Sequence, residues 1–441
     1  MTQQNFNALL STINDIPRVF RDGSVCSTSA NLVQVRGLCS FGQVGDLVIL
    51  HPQNAPSVFG EILALRETVV DILPETGSTG IALDDRVSHL GPKRIMPDNS
   101  WLGRIIDPLL RPLDGRPLIK GPKEVSLKAS PPAPSTRKRF GERLNSGLAA
   151  FDTFLPIVKG QRLGIFAGSG VGKSTLLADL AKEMQADVVV ITLIGERGRE
   201  LKDFVEDTLG PEGLKRAVII AATSDQSAML RRRSAWVGMA IAEYFRDQGA
   251  HVLLLADSVT RFAEAHREIA LSTGESASLD GFPPSTTQEL MALSERAGPG
   301  AIKAGDITAI FSVLVQGSDM EGTIADIMRG VLDGHVVLSR EIAERGRFPA
   351  IDISKSVSRS LPNAATTEEN ETLSQARRLI GTYEEARILI KSGLYEAGSD
   401  DATDQAIKFR PIIEAFLSST RLTTARKAFC LLETCLKQCR E

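Results

Sequence analysis

The sequence predicts an α/β fold, a parallel-sheet domain set between a small N-terminal β-barrel and a C-terminal helical domain. Three observations carry that expectation. Residues 150 to 350 alternate near-continuous apolar strands with helical stretches, the pattern of a parallel sheet covered on both faces. Residues 20 to 95 instead carry short β-branched segments separated by Gly or Pro. Residues 366 to 441 contain no strand pattern and read as helix.

Composition narrows the class. With 441 residues, two or three domains are expected. An apolar content of 42% and a charged content of 24% are those of a soluble globular protein. A net charge of -3 gives no general electrostatic reason to bind nucleic acid. No apolar run is long enough to span a bilayer, and the first 25 residues lack a secretion signal, so a cytosolic protein is expected. Cys26 and Cys39 sit near the start, and Cys430, Cys435 and Cys439 crowd the last helix. Without a nearby His or a C-x-x-C, the last three read as buried or idle thiols rather than metal ligands.

In chain order, Phe6, Leu9, Leu10, Ile13 and Ile16 form an apolar stripe at helical spacing. Two uses fit such a stripe, packing on the domain that follows or docking a partner. Residues 1–19 are expected to form an amphipathic docking helix. Within 20–95, Asp46 to His51, Phe59 to Leu65 and Val69 to Leu73 are the clearest strands of the barrel. Residues 101 to 117 are rich in Pro, Gly and Asp and read as loop and turn. Residues 121 to 136 hold Pro122, Pro131, Pro132 and Pro134 and read as an extended crossing segment inside a domain spanning 96–360. There the strands are Leu163 to Phe166, Val188 to Leu193, Ala217 to Ala222, Val252 to Ala256, Ile307 to Val315 and His335 to Leu338. Leu176, Leu177, Leu180 and Met184 form one helix stripe between the first two. In the C-terminal domain, 361–441, Leu373, Ala376, Ile380, Tyr383 and Ala386 suit one helix, and Ile407, Ile412, Ile413, Phe416 and Leu417 another.

The chemistry centres on LGIFAGSGVGKSTLLAD, residues 163 to 179: a buried strand, a glycine-rich loop and a helix opening at Lys173. That order is what a phosphate-binding loop needs. Gly168, Gly170 and Gly172 let backbone N–H groups curl around phosphate oxygens, and the helix N-terminus favours the same anion. The loop runs from Ala167 through Ser169, Val171 and Thr175. Lys173 is expected to reach the β- and γ-phosphates of ATP, and the Ser174 hydroxyl to ligate Mg²⁺. The strict pattern asks for Gly where Ala167 stands; a small side chain there is compatible if the position needs no positive φ.

Two carboxylates end strands, where a parallel sheet places its site. Asp257, after an apolar run, suits the Mg²⁺ shell; the plainer role is a cap on the next helix. Glu196, in GERGRE, can orient and polarise an attacking water. It would otherwise be a surface partner of Arg197 or Arg199.

Taken together, VKGQRLGIFAGSGVGKST, IGERGRE, EDTLGPEGL, IAEYFRDQG and VLLLADSVTRFAEAHREIAL resemble the flagellar export ATPases. These are relatives of rotary ATP synthase catalytic subunits and of virulence-type secretion ATPases. The likeness extends to GRIIDPLLRPLDG, LDGHVVLSR and FPAIDISKSVSR, and covers roughly residues 20 to 430. The resemblance implies a RecA-like P-loop domain in a homohexameric ring, with sites between subunits. It implies that Arg197 and Arg261 support the site from the same chain, that Arg359 is an arginine finger toward the neighbour, and that Phe348 stacks on adenine. It further implies a motor of flagellar type III protein export, cytoplasmic and only peripherally at the inner face of the membrane. The implied partners are a regulator at the N-terminal helix, a coiled-coil central stalk, the export gate and substrate–chaperone complexes.

Two stretches depart from the family pattern, STGESASLDGFPPSTT at 272 to 287 and LVQGSDMEGTIAD from 314. Both lie where the family faces the ring centre or a neighbour. A virulence-type secretion ATPase and a non-catalytic ring subunit are the competing readings; Glu196 argues against the second. An RNA-translocating hexamer would need a basic, aromatic barrel, and residues 20 to 95 offer only Phe20, Phe41 and Phe59. Arg231, Arg232 and Arg233 are spread about 100° apart around a helix, which suggests a solvated or subunit-facing helix.

Overall fold

The computed structural model describes residue 13 and residues 21–29, 31–278, 281–315, 321–420 and 424–439. The docking helix expected over 1–19 lies outside these, apart from Ile13, which is exposed. The described chain forms two compact units. One takes residues up to 131 with 188–248 and 256–296, the other 132–187, 249–255 and 297 onward.

The first unit opens with β1 (Arg21–Thr28), β2 (Val33–Arg36), β3 (Leu47–His51), β4 (Val58–Leu65), β5 (Val69–Pro74) and β6 (Arg86–Gly91). They close an antiparallel barrel in the order β1-β2-β5-β4-β3-β6. Alternation drives the closure: Val33 and Val35, Val48 and Leu50, Val70 and Ile72 all turn inward and are fully buried. At Gly60 the wall is too tight for a side chain, since a Cβ there would stand 2.7 Å from Ile72 Cγ2.

Next comes β7 (Arg104–Ile106), inside the stretch read as loop and turn. This corrects that reading. Three residues are too few to show a period, yet Ile105 and Ile106 pair in parallel register with Ile219 and Ile220. The Pro-rich segment holds no regular strand or helix, and Val125 makes a single bridge to Ile95.

The alternating region continues with α1 (Ala149–Asp152), β8 (Arg162–Ala167), α2 (Lys173–Glu183), β9 (Val188–Glu196), α3 (Gly198–Asp203), a π-helical turn at Phe204–Leu209, α4 (Gly210–Lys215), β10 (Ala217–Thr223) and α5 (Ala228–Asp247). After it run β11 (His251–Asp257), α6 (Val259–Ser272), α7 (Pro284–Arg296), β12 (Gly298–Pro299), β13 (Asp306–Leu314), α8 (Thr323–Val331), β14 (Gly334–Leu338), α9 (Arg340–Glu344) and β15 (Ile351–Ser358). In the first unit β10 lies parallel between β9 and β7. Gly238 lets α5 approach the sheet, for a Cβ there would collide with Thr192 Cγ2 on β9. Leu47 and Leu73 of the barrel share an apolar cluster with Met229, Leu230, Ala265 and Ile269 of α5 and α6.

The solvated or subunit-facing helix expected for Arg231 to Arg233 is not found at Arg232 and Arg233, which are buried within the chain. Helix α5 is buried on nearly every side, so Arg232 and Arg233 lie inside and share Glu61 of β4.

In the second unit β8 lies parallel between β13 and β14. The sheet is not wholly parallel, because β15 runs antiparallel to β14. The chain ends in α10 (Thr367–Lys391), α11 (Asp401–Leu417) and α12 (Ala425–Gln438). Thr366 and Glu369 form a reciprocal capping box that starts α10. Glu369 also accepts two bonds from Arg143, each 3.0 Å. Leu373, Ala376 and Ile380 are the buried stripe of α10, and Ile413, Phe416 and Leu417 that of α11.

Candidate active site

In the second unit the phosphate-type loop follows β8, whose residues from Leu163 to Ala167 are buried by their apolar side chains. Ala167 is a strand residue paired with Leu314 and Leu338, and its backbone is not left-handed, so Ala fits where the strict pattern has Gly. Gly170 and Gly172 have φ of 76° and 86°, which a side chain would resist. Gly168 and Val171 are buried, while Ser169 and Gly170 are exposed. Gly172 is the N-cap of α2 and supplies no side-chain cap, so the first N–H groups of the helix turn toward the loop.

Lys173 and Ser174 open that helix, Lys173 half-buried, Ser174 and Thr175 exposed. Phe348 stands beside them, half exposed: a Cβ on Gly172 would lie 3.2 Å from its Cδ1. Arg340, which sequence reasoning missed, donates through Nη2 to the Ser169 carbonyl at 3.2 Å. Its signal was present in the string LDGHVVLSR, where only the spacing to the loop was hidden.

Arg359 lies in the same unit but away from this loop. It follows Ser358, which pairs with Gly334 at the start of β14, whereas Ala167 is level with Leu338 at the other end. Four strand residues separate the levels, about 13 Å at ~3.3 Å each. Arg359 is exposed, and its Nη2 donates to the Arg329 carbonyl at 3.2 Å.

In the first unit Glu196 ends β9, half-buried. A Cβ on the preceding Gly195 would lie 3.3 Å from Arg231 Cδ and 3.4 Å from Arg261 Cβ, so α5 and α6 pack closely against the end of β9. Arg197 is exposed and bonds Glu200 at 3.3 Å; Arg199 pairs with Asp203 at 3.7 Å. Asp257, 3% exposed, ends β11. The capping role is taken by Ser258, whose Oγ accepts from the Arg261 N–H, so Asp257 is not that cap. Arg261 pairs with Glu264 at 2.8 Å.

The second unit thus brings together the loop, Phe348 and Arg340, and holds Arg359 at the far end of its strands. The first holds Glu196, Arg197, Asp257 and Arg261, with Gly195, the residue before Glu196, packed near the base of the Arg261 side chain. The residues fit a Mg–nucleotide. Left-handed glycines, an uncapped helix start and a serine hydroxyl suit phosphate oxygens with a cation beside them. Among the described residues no group of three or more His, Cys, Asp or Glu could hold a metal ion. Of the C-terminal thiols, Cys439 donates to the Gln405 carbonyl at 3.1 Å and Cys430 is exposed.

Residues 147–358 match the model of the ATP synthase alpha/beta family, nucleotide-binding domain, and residues 365–425 that of the T3SS EscN ATPase C-terminal domain. The chain is 44% identical over 421 residues to the flagellum-specific ATP synthase of Caulobacter vibrioides, covering 94% of this chain and 95% of that one. It is 42% identical over 400 residues to the flagellum-specific ATP synthase of Bacillus subtilis, 90% of each. Among solved structures, the assembled ATPase EscN from the enteropathogenic E. coli type III secretion system superposes with a TM-score of 0.85 at 37% identity, over 94% of this chain and 100% of that one. EscN in complex with its central stalk EscO gives 0.84 at 38% identity, over the same shares. With the expected barrel, α/β domain and helical end in place, the chain belongs to the ATP synthase alpha/beta family, among its flagellum-specific and type III secretion ATPases.

Proposed function

We propose that this chain is the ATP-hydrolysing subunit of a homohexameric ring that serves flagellar type III protein export, coupling hydrolysis to the unfolding and export of flagellar proteins. The observation that carries the reading is the loop from Ala167 to Thr175, built as a phosphate cradle, with Arg359 on the opposite end of the same strands. Loop amides and Lys173 hold the β- and γ-phosphates, and Phe348 offers its exposed ring to adenine. Ser174 and Asp257 would hold Mg²⁺, which when bound neutralises phosphate charge. Glu196 orients and polarises water toward the γ-phosphate, supported by Arg197 and Arg261. Arg359 cannot reach its own loop along four strand residues, so its guanidinium serves the nucleotide of the adjacent subunit.

The flagellar system is supported by relatives at 40–44% identity that carry the flagellar name. That EscN has a central stalk supports a coiled-coil stalk partner here. A regulator at residues 1–19, the export gate and substrate–chaperone complexes complete the proposed assembly. It works in the cytoplasm, peripheral to the membrane; among the described residues no helix is long and apolar enough to cross one.

Phosphate release and nucleotide affinity test the reading together. Lys173→Ala should lose both. Glu196→Gln should keep affinity and lose release by at least about 10²-fold, the usual weight of a general base. Turnover within a few-fold of wild type in Glu196→Gln would reduce Glu196 to a surface ion-pair member, since exposed pairs contribute about 0–1 kcal/mol.

A further inference from the structure

In the second unit, the turn that carries Phe348 is anchored by the C-terminal helices. Arg347, the residue before it, is buried, whereas Phe348 is half exposed. The Arg347 amide donates to the Ile342 carbonyl of α9 at 3.3 Å, and its Nη2 to the Ile351 carbonyl of β15 at 2.7 Å. Its Nε lies 2.5 Å from Glu414 Oε2 on α11, a contact of opposite charges rather than an aligned hydrogen bond. Nη1 is buried and has no hydrogen-bond acceptor among the described residues. Burial acts most strongly on the Arg347 pKa and lowers it. Glu414 gives the guanidinium charge its strongest support, and Asp352 a weaker one.

Glu414 is itself held in place. Arg410 Nη2, one turn earlier on α11, stands 2.6 Å from Glu414 Oε1, and Arg410 Nη1 donates to Glu384 of α10 at 3.1 Å. Glu384 also accepts from Arg387 Nη1 at 3.3 Å, and Arg387 pairs with Glu341 of α9. Glu341 adjoins Arg340, whose Nη2 bonds the Ser169 carbonyl of the phosphate loop. Charges on α10 and α11 thus grip α9 and the turn after it, the segment that carries Arg340 and Phe348. With half its surface exposed, the Phe348 ring is placed more by this turn than by its own packing. A ring held ready loses less entropy when a base stacks on it. Taking the charge from Glu414 leaves a buried guanidinium poorly paired, a change large enough to move the turn.

We infer that Glu414, acting through Arg347, is a positioning residue for Phe348, so that the C-terminal helices set the affinity for the adenine base. The inference rests on the proposed reading of Phe348 as the adenine platform. The test titrates the full-length chain calorimetrically with Mg-ADP and with Mg-pyrophosphate, which engage the phosphate loop with and without a base. Phe348→Ala should weaken ADP binding about fivefold or more, the usual weight of base stacking, and leave pyrophosphate within about twofold. Glu414→Gln should show the same selective loss. So should Arg347→Met, which leaves no buried charge behind and serves if Glu414→Gln folds poorly. An unchanged preference for ADP over pyrophosphate in Phe348→Ala would overturn the adenine reading and this inference with it. A preference reduced in Phe348→Ala but kept in Glu414→Gln and Arg347→Met would overturn this inference while sparing the adenine reading. Equal weakening of both ligands in those two variants would also overturn it, as the mark of a merely structural role.

Discussion

At the scale of single residues, two neighbouring positions of the loop behave oppositely for a physical reason. Ala167 continues a strand, so its methyl group is accommodated and Ala167→Gly should leave nucleotide affinity within a few-fold of wild type. Gly172 is left-handed and faces Phe348. Gly172→Ala carries about 1–2 kcal/mol of backbone strain and forces that ring to shift. Titration with a fluorescent nucleotide should show affinity about tenfold weaker or worse; unchanged affinity would remove Phe348 and the left-handed turn from the site. The same reasoning separates Asp257 from Ser258. Both stand at a strand end before a helix, but it is Ser258 whose side chain caps it, while the Asp257 carboxylate is buried at the end of β11.

Among elements, legibility tracked length and repetition. Strands of the alternating region were placed to within a few residues because their apolar runs are long. The phosphate loop was legible because chemistry demands a fixed spacing of glycines and Lys173. What escaped was short or long-range. Three residues of β7 carry no period, and β15 reads Ile-Asp-Ile-Ser, an alternation suited to an antiparallel edge rather than the continuous run of a buried parallel strand. The arginines of α5 were misread because a helix buried all round has no solvated face, and their acceptor, Glu61, is more than 160 residues away in sequence. That triad gives an element-scale prediction. Glu61→Gln removes the carboxylate that both buried guanidinium groups bond and should destabilise the unit by about 3–5 kcal/mol. Denaturant unfolding followed at Trp236 measures it; a loss under about 1 kcal/mol would mean that water or another anion already balances the pair.

For the whole molecule, acidification should loosen the fold before the carboxylates titrate. His51, His251, His266 and His335 all have pKa values lowered mainly by burial. Each binds its proton more readily in the unfolded chain, at about 6.5, so the stability it contributes is present above that value and is lost as pH falls through it. The denaturation midpoint should be lower at pH 5.5 than at pH 7.5, and an unchanged midpoint would mean that these rings take up protons as readily in the folded chain as in the unfolded one. The proposed role of Arg359 makes the assembly testable. A finger held about 13 Å of strand from its own loop would have work only in a neighbour's site, and such fingers contribute on the order of 10³–10⁵ in rate. Lys173→Ala and Arg359→Ala should each be silent alone. Mixed at random in equal amounts, about one interface in four holds an intact loop and an intact finger. The decisive measurement is phosphate release from rings of tethered pairs, Lys173→Ala in one half and Arg359→Ala in the other, where the intact interfaces are built in. Recovered hydrolysis is the predicted result; continued silence in rings shown to assemble and to bind nucleotide would contradict sites completed between subunits.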